Sequence, residues 1–339
     1  MPELSVLMST YNSKKYVKDS IESVLNQTYS DFEFIIVNDG STDNTEKVIR
    51  TYQDSRIKLY NLNENIGVGS ALKYGLEQVT GKYVIKMDSD DISYSTRFEK
   101  QKIFLDNHPE IALVKCLVEY FPHDLKTEQS PRYRYMKSAK EKCLNDITTP
   151  EQISKTLYWW SCIPHDAIAV RTGIIKEIGY REVRMGEDYS LFYNINKRGY
   201  KMDTVNEVLL KIRVIDTSIC GAEQDQAEFT RILFEIKRDE LINFIKDKSV
   251  YIWGTGGLGE NLVAVLENNG YNVAGFIDRD EKKHGTSIFG KPIFSPSYIR
   301  ESNGAVTKII IAAQPARYEI AHYLDQIGYQ DTVDYFVFA

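Results

Sequence analysis

Along the first ninety residues, short apolar runs alternate with stretches whose apolar positions recur at helical spacing. Leu4–Met8, Glu33–Val37, Arg56–Tyr60 and Lys82–Met87 read as strands, each short and rich in β-branched or alternating apolar residues. Between them, Lys15–Leu25 sets Val17, Ile21, Val24 and Leu25 on one helical face, and Val68, Leu72, Gly75, Leu76 and Val79 do the same. Asp43–Arg50 reads as a third helix, with Asp43 and Glu46 spaced like a capping box. Alternating strands and helices predict a mostly parallel sheet covered on both faces, with ligands at the C-terminal ends of its strands.

The pattern loosens over roughly 95–247. Asp124–Lys142 reads as a basic, aromatic loop, and Ala222–Lys248 as a long charged helix. At Ser249 the alternation restarts: a strand (SVYIW), a glycine turn (GTGGLG), a helix over Glu260–Asn268, then strands at Asn272–Ile277 and Lys308–Ala312. The expected organisation is a domain at 1–247, made of a nucleotide-binding half at 1–95, an acceptor half at 96–221 and a connector helix at 222–247. A small Rossmann-like α/β domain follows at 248–339.

Composition bounds the function. Hydrophobic residues make up 42% and charged residues 27% of the chain, as in soluble globular proteins. A net charge of −6 argues against nucleic acid as a partner, because duplex binding needs a strong basic field. The start, MPELSVLMSTYN, has no signal-peptide pattern, and no apolar run reaches the ~18 residues of a spanning helix. Cys116, Cys143, Cys162 and Cys220 are far apart and form no metal or redox motif, so reduced cytoplasmic thiols are expected.

The strongest chemical signal is Met87-Asp88-Ser89-Asp90-Asp91, three carboxylates directly after an apolar strand. Carboxylates crowded at a sheet edge repel one another, and a hard divalent cation with a diphosphate as co-ligand relieves that cost. Other strand ends agree: Ser9-Thr10-Tyr11-Asn12, Asn38-Asp39-Gly40-Ser41-Thr42-Asp43 and Asn63-Glu64-Asn65-Ile66-Gly67 are polar loops at one end of the same sheet. Each alone has turn and helix-cap chemistry; together they outline a crevice.

The series STYN, VNDGSTD, NIG and MDSDD closely resembles the family 2 glycosyltransferases, which have the GT-A fold. Ile163-Pro164-His165 through Arg171, and Gly186-Glu187-Asp188-Tyr189, extend the resemblance to about residue 215. It implies that Thr10, Tyr11 and Asp39 hold the nucleotide base, that Asp88 meets ribose or metal, and that Asp90 binds an Mn²⁺ or Mg²⁺ bridging the diphosphate. Asn12, Gly67 and Ser89 complete the donor-binding set. Asp188 would be the general base in an inverting displacement onto a hydroxyl of a glycan or lipid-linked acceptor. UDP is the nucleotide the resemblance favours, and surface polysaccharide synthesis the setting. A non-catalytic module that keeps the fold is the alternative of another class.

The chain departs from the family pattern in two places. Where an Arg-Asn pair often follows NIG, it has Leu72 and Lys73, leaving Lys73 as the cation for the diphosphate. It also has no histidine between Asp188 and residue 247 to serve as a metal ligand. His165 reads either as an acceptor or phosphate contact or as a core histidine, and Glu187 shares the acceptor side. Trp159 and Trp160 read as a sugar-stacking platform or as core. Arg213 reads as a phosphate contact or a surface cation. Arg132-Tyr133-Arg134-Tyr135-Met136-Lys137 reads as a peripheral contact with an anionic membrane or as a solvated face.

In the C-terminal unit, Gly254, Gly256 and Gly259 fit G-x-G-x-x-G, and Asp278 stands at the end of the next strand, where a ribose hydroxyl would lie. No hydride-transfer constellation follows. The segment GTGGLGENL…AGFIDRDEKKHGTSIFGKPI resembles small Rossmann-like modules appended to sugar-modifying acyltransferases and some methyltransferases. Dinucleotide binding, which would make the protein bifunctional, and a scaffold or homo-oligomer contact both remain open.

Overall fold

The computed structural model describes residues 2–215, 226–246, 248–302 and 308–339. Cys220 and the expected boundary at residue 247 lie outside them. The chain divides into two compact units, Met1–Ala222 and Glu223–Ala339.

The first unit is built on one eight-stranded sheet. Its strands are β1 (Leu4–Thr10), β2 (Phe32–Asn38), β3 (Ile57–Asn61), β4 (Tyr83–Lys86), β5 (Ile92–Ser93), β6 (Ile111–Pro122), β7 (Ile168–Arg171) and β8 (Lys201–Val214), in the order β3-β2-β1-β4-β7-β6-β8-β5. The half β3-β2-β1-β4 is parallel throughout, as the alternating pattern predicts. The other half is mixed: β7 runs antiparallel to β4 and β6, while β6 and β8 run parallel. Every residue of β2 is buried, which explains its unbroken apolar run: helices cover both faces. The helix Val17–Leu25 buries Val17, Ile21 and Val24 along the expected stripe. The helix Val68–Gln78 packs so closely that a Cβ on Gly75 would lie 2.5 Å from Leu7 Cδ1 and 2.8 Å from Val37 Cγ2.

Two local expectations change. The capping box does not form: the short helix is Thr45–Ile49, Asp43 Oδ1 accepts the Thr45 N–H at 2.8 Å, and Glu46 turns to Arg50 and Asn61. The expected loop at 124–142 is helical. Asp124 caps Leu125–Glu128, Ser130 caps Pro131–Tyr135, and a π-turn at Met136–Lys140 leads into Glu141–Asn145. Two good N-caps and a proline in the first turn outweigh the polar composition. Tyr133 and Met136 pack against the core, so this run is one amphipathic edge rather than a free basic face.

The second unit carries β9 (Val250–Trp253), β10 (Val273–Ile277), β11 (Ser287–Ile288), β12 (Lys291–Phe294), β13 (Ile309–Ile311) and β14 (Tyr335–Val337), in the order β11-β12-β10-β9-β13-β14. All neighbours are parallel except the β11-β12 hairpin. The helix Gln226–Ile245, expected as a connector, falls within this unit. It packs against the helix Gly257–Asn268, and its buried Lys237 donates to the carbonyls of Val337 and Phe338 at 3.1 and 2.8 Å.

Candidate active site

The parallel register brings four strand ends to one edge. Thr10 pairs with Asn38, Asn38 with Asn61, and Leu7 with Lys86. The loops that follow carry the polar motifs, so residues distant in sequence share a crevice by register alone.

On the nucleotide side, Asp39 is buried, and its two carboxylate oxygens accept the backbone N–H groups of Ile66 at 2.8 Å and Gly67 at 3.0 Å. Gly67 needs its glycine: its φ is +91°, and it begins the helix Val68–Gln78. Thr10 is buried with an unpartnered hydroxyl, and Tyr11 is largely exposed at the mouth. Asn12 holds a left-handed conformation (φ +51°), and its side-chain amide oxygen Oδ1 accepts from Thr42 N at 2.8 Å and Asp43 N at 3.2 Å. It therefore braces two loops against each other. Lys73 is exposed and paired with Glu182.

The acidic turn sits beyond β4. Lys86, fully buried, donates to Met87 O at 2.9 Å and pairs with Asp88. Burial pushes the Asp88 carboxyl up, but Lys86, with His165 and Arg97 adding to it, holds the group below its usual range. Asp90 is pushed up to about 7 by burial and then by the charges of Asp88 and Asp166. Asp91 and Asp166 are raised as well, burial leading in both. Oxygens of Asp88, Asp91 and Asp166 lie within 4.8 Å of one another, a set of hard donors suited to a divalent cation. Asp90 is not in that trio. Ser89 bonds Ser13 at 2.7 Å, fixing the turn to the loop after β1.

Two arginines hold the turn from behind. Arg97, fully buried, gives its guanidinium to the carbonyls of Lys86 (3.0 Å), Asp166 (2.6 Å) and Ile168 (3.3 Å). Arg213 donates through Nε to Asp90 O at 2.8 Å, its guanidinium pairs with Asp19 at 2.9 Å, and it lies over the rings of Tyr16 and Phe121. Its backbone N–H reaches Asp91 Oδ1 at 2.7 Å. Arg213 is thus a clamp on the acidic turn, with its charge already used.

On the acceptor side, Glu187 and Asp188 open the helix Glu187–Lys197, whose N-terminal dipole faces them. Asp188 Oδ1 accepts the Tyr189 N–H at 2.6 Å. Burial raises the Asp188 carboxyl, and Asp88 raises it further. Glu187 is pushed up to about 8 by burial and by Asp188. His165 bonds the Tyr180 hydroxyl at 2.9 Å, and burial, helped by Lys86, drives its pKa down to about 3, so it is neutral at physiological pH. Trp160 packs at the edge of the core under Lys140, and Trp159 is half-buried with Lys155 6.0 Å from its ring.

Lys86, Arg97 and Asp166 are site residues that sequence reasoning missed. Lys86 left a signal, a charge inside an apolar strand next to the acids. Asp166 stood beside His165. Arg97 left none, since it lies in a helix of mixed charge. Burial pushes the Cys116 and Cys162 thiols to about 11 and about 12, so neither is a nucleophile.

In the second unit, the glycine loop is tight where it packs. A Cβ on Gly259 would lie 2.0 Å from Gly254 O, whereas Gly256 faces open space. Asp278 is engaged internally: it accepts from the Thr255 hydroxyl and N–H, Lys283 Nζ lies 3.4 Å away, and the Asp280 N–H reaches its other oxygen at 2.9 Å. Lys283 also donates to the Thr255 hydroxyl at 2.7 Å.

Comparison with known proteins agrees with the first unit's geometry. Residues 5–179 match the model of glycosyl transferase family 2, and residues 246–332 match the model described as C2185-like, N-terminal. An uncharacterized glycosyltransferase of Methanocaldococcus jannaschii is 32% identical over 221 residues, 63% of this chain and 71% of that one. The putative teichuronic acid biosynthesis glycosyltransferase TuaG of Bacillus subtilis is 28% identical over 248 residues, 72% and 91% of the two chains. Among solved structures, S. aureus TarS 1–349 in complex with UDP-GlcNAc aligns with a TM-score of 0.56 at 18% identity, over 80% of this chain and 73% of that one. The mannosyltransferase PcManGT from Pyrobaculum calidifontis, in complex with GDP-Man and Mn²⁺, aligns with a TM-score of 0.53 at 20% identity, over 71% and 64%. The chain belongs to glycosyl transferase family 2 and has the GT-A fold, with a second sheet domain at its C-terminus.

Proposed function

We propose that this family 2 glycosyltransferase moves a sugar from a UDP-sugar to a hydroxyl of a glycan or lipid-linked acceptor, with inversion and with help from a divalent metal. The observation that carries the reading is Asp188: a carboxylate at a helix N-terminus, raised in pKa by burial and by Asp88, in the crevice of the acidic turn. A sugar hydroxyl is a poor nucleophile, and a carboxylate made more basic by its surroundings removes its proton more effectively. Transfer then joins the acceptor oxygen to the anomeric carbon, breaks that carbon's bond to the diphosphate, and leaves the acceptor proton on Asp188.

Asp39, Thr10 and Tyr11 take the base in this reading. Asp39 keeps lone pairs after bonding Ile66 and Gly67, and Thr10 has a hydroxyl to give. Asp88 and Asp90 hold the metal, with Asp91 and Asp166 behind them. Bound there, Mn²⁺ or Mg²⁺ neutralises charge on the departing diphosphate. The hard oxygen donors crowded at this turn, and an Asp90 carboxyl raised by burial and by Asp88, support a cation there, and the Mn²⁺ complex of PcManGT is in keeping with it. The UDP-GlcNAc complex of TarS favours UDP, and the name of TuaG favours a surface polysaccharide. Among the described residues no helix is long and apolar enough to cross a membrane; the dispersed cysteines favour a cytoplasmic setting.

Titration with UDP, with and without Mn²⁺, followed by turnover of UDP-sugars, tests the reading. Metal-dependent binding and transfer support it. Binding without turnover would favour the non-catalytic module, against which the presence of Asp88, Asp90 and Asp188 speaks. For the second unit, the internal engagement of Asp278 weighs against a dinucleotide ribose and towards a scaffold or oligomer contact.

A further inference from the structure

The crevice is short of uncommitted positive charge. Lys86 is paired with Asp88, Arg97 is spent on backbone carbonyls, Arg213 is tied to Asp19 and Asp90, and Lys73 is paired with Glu182. Arg184 differs. It is exposed, and among the described residues it makes no salt bridge or side-chain hydrogen bond.

Its position is nevertheless defined. A Cβ on Gly67 would lie 3.0 Å from Arg184 Cγ and 3.9 Å from its Nε, so the side chain rests on the turn that Asp39 holds. The loop carrying it is fastened to the start of the helix Val68–Gln78. Gly69 N–H donates to Val183 O at 3.2 Å, and the Lys73–Glu182 pair adds a second tie. Gly69 permits this approach because a Cβ there would lie 2.2 Å from Arg181 O and 2.6 Å from Val183 O. The same loop runs on through Gly186 to Glu187 and Asp188. Arg184 therefore lies on the nucleotide turn, in the loop that leads directly to the proposed base.

We propose that Arg184 is a donor-binding residue whose guanidinium contacts the diphosphate of the nucleotide sugar. The inference rests on the donor reading above. A planar guanidinium with free donors suits phosphate oxygens, and a lysine ammonium reproduces only part of that contact.

The test is calorimetric titration of the full chain with UDP in Mn²⁺ across a salt series. Arg184→Ala should weaken UDP by about tenfold or more and flatten its salt dependence, with the unfolding midpoint unchanged. Arg184→Lys should fall between it and the parent, and Arg181→Ala, which removes a charge from the same loop, should bind as the parent does. Unchanged affinity in Arg184→Ala, or equal loss in Arg181→Ala, would overturn the assignment. If the parent chain binds neither UDP nor GDP, the donor reading itself fails, and the inference with it.

Discussion

Asp39 accepts the backbone N–H of Gly67 at 3.0 Å across 28 positions of sequence, joining the loop after β2 to the start of the helix Val68–Gln78. With the Ile66 N–H on its other oxygen, this carboxylate shapes the pocket wall before any ligand arrives. Asp39→Asn turns an amide N–H₂ toward one of these backbone donors. We expect a loss of about 1–3 kcal/mol in stability and weakened UDP binding, read by thermal unfolding and titration.

Asp188→Asn keeps the side chain's size and its bond from the Tyr189 N–H but removes the base. Turnover should fall by about a hundredfold or more, while UDP affinity stays within a few-fold. Retained turnover would refute the role of Asp188.

The motif pair Asp88/Asp90 and the trio Asp88/Asp91/Asp166 share one member, the half-exposed Asp88. Asp90→Ala should erase the gain in UDP affinity that Mn²⁺ confers. Asp166→Ala should lower the melting temperature but keep the metal response. The reverse outcome would move the cation inward to the trio.

Glu187 and Asp90 ionise only near about 8 and about 7 in the folded chain, against ordinary values of 4.5 and 3.8. A carboxyl raised by folding stabilises the fold fully below its unfolded value, and that contribution is lost as pH rises through the folded one. His165, lowered to about 3, acts oppositely, but only between about 3 and its ordinary 6.5. In EDTA the melting temperature should therefore fall as pH rises from about 7 to about 8. Mn²⁺ should restore it more at pH ~8 than at pH ~6, since the ionised cluster binds the cation better. A melting temperature flat across that range would contradict the shifts.

In the second unit, a methyl group on residue 259 would meet the Gly254 carbonyl. Gly259→Ala should destabilise that unit by about 1–3 kcal/mol through overpacking. Calorimetry should show the lower midpoint, and sugar transfer by the folded protein should persist.

Much of the first unit was legible along the chain. The runs EFIIV and KYVIKM mark buried strands, and the polar loops at their ends carry the site because parallel pairing aligns those ends. The helical turns over 124–142 were hidden by polar composition, since caps at Asp124 and Ser130 act one residue at a time. The fate of each charge was not legible at all. Lys73 and Arg213 read alike as free cations; one is paired with Glu182, 109 positions away, and the other clamps the acidic turn 122 positions away.

By itself, then, the sequence determined the order of strands and helices over the first ninety residues, the edge at which the polar loops gather, and the family. These depend on periodicity and on contiguous motifs, which a linear chain carries intact. Tertiary structure alone decided which acids crowd together, that Lys86 and Arg97 lie buried among them, that Asp278 is already engaged, and that Arg184 is left free over Gly67. Ionisation and pairing depend on burial and on distances of a few ångströms between segments, and only folding sets those.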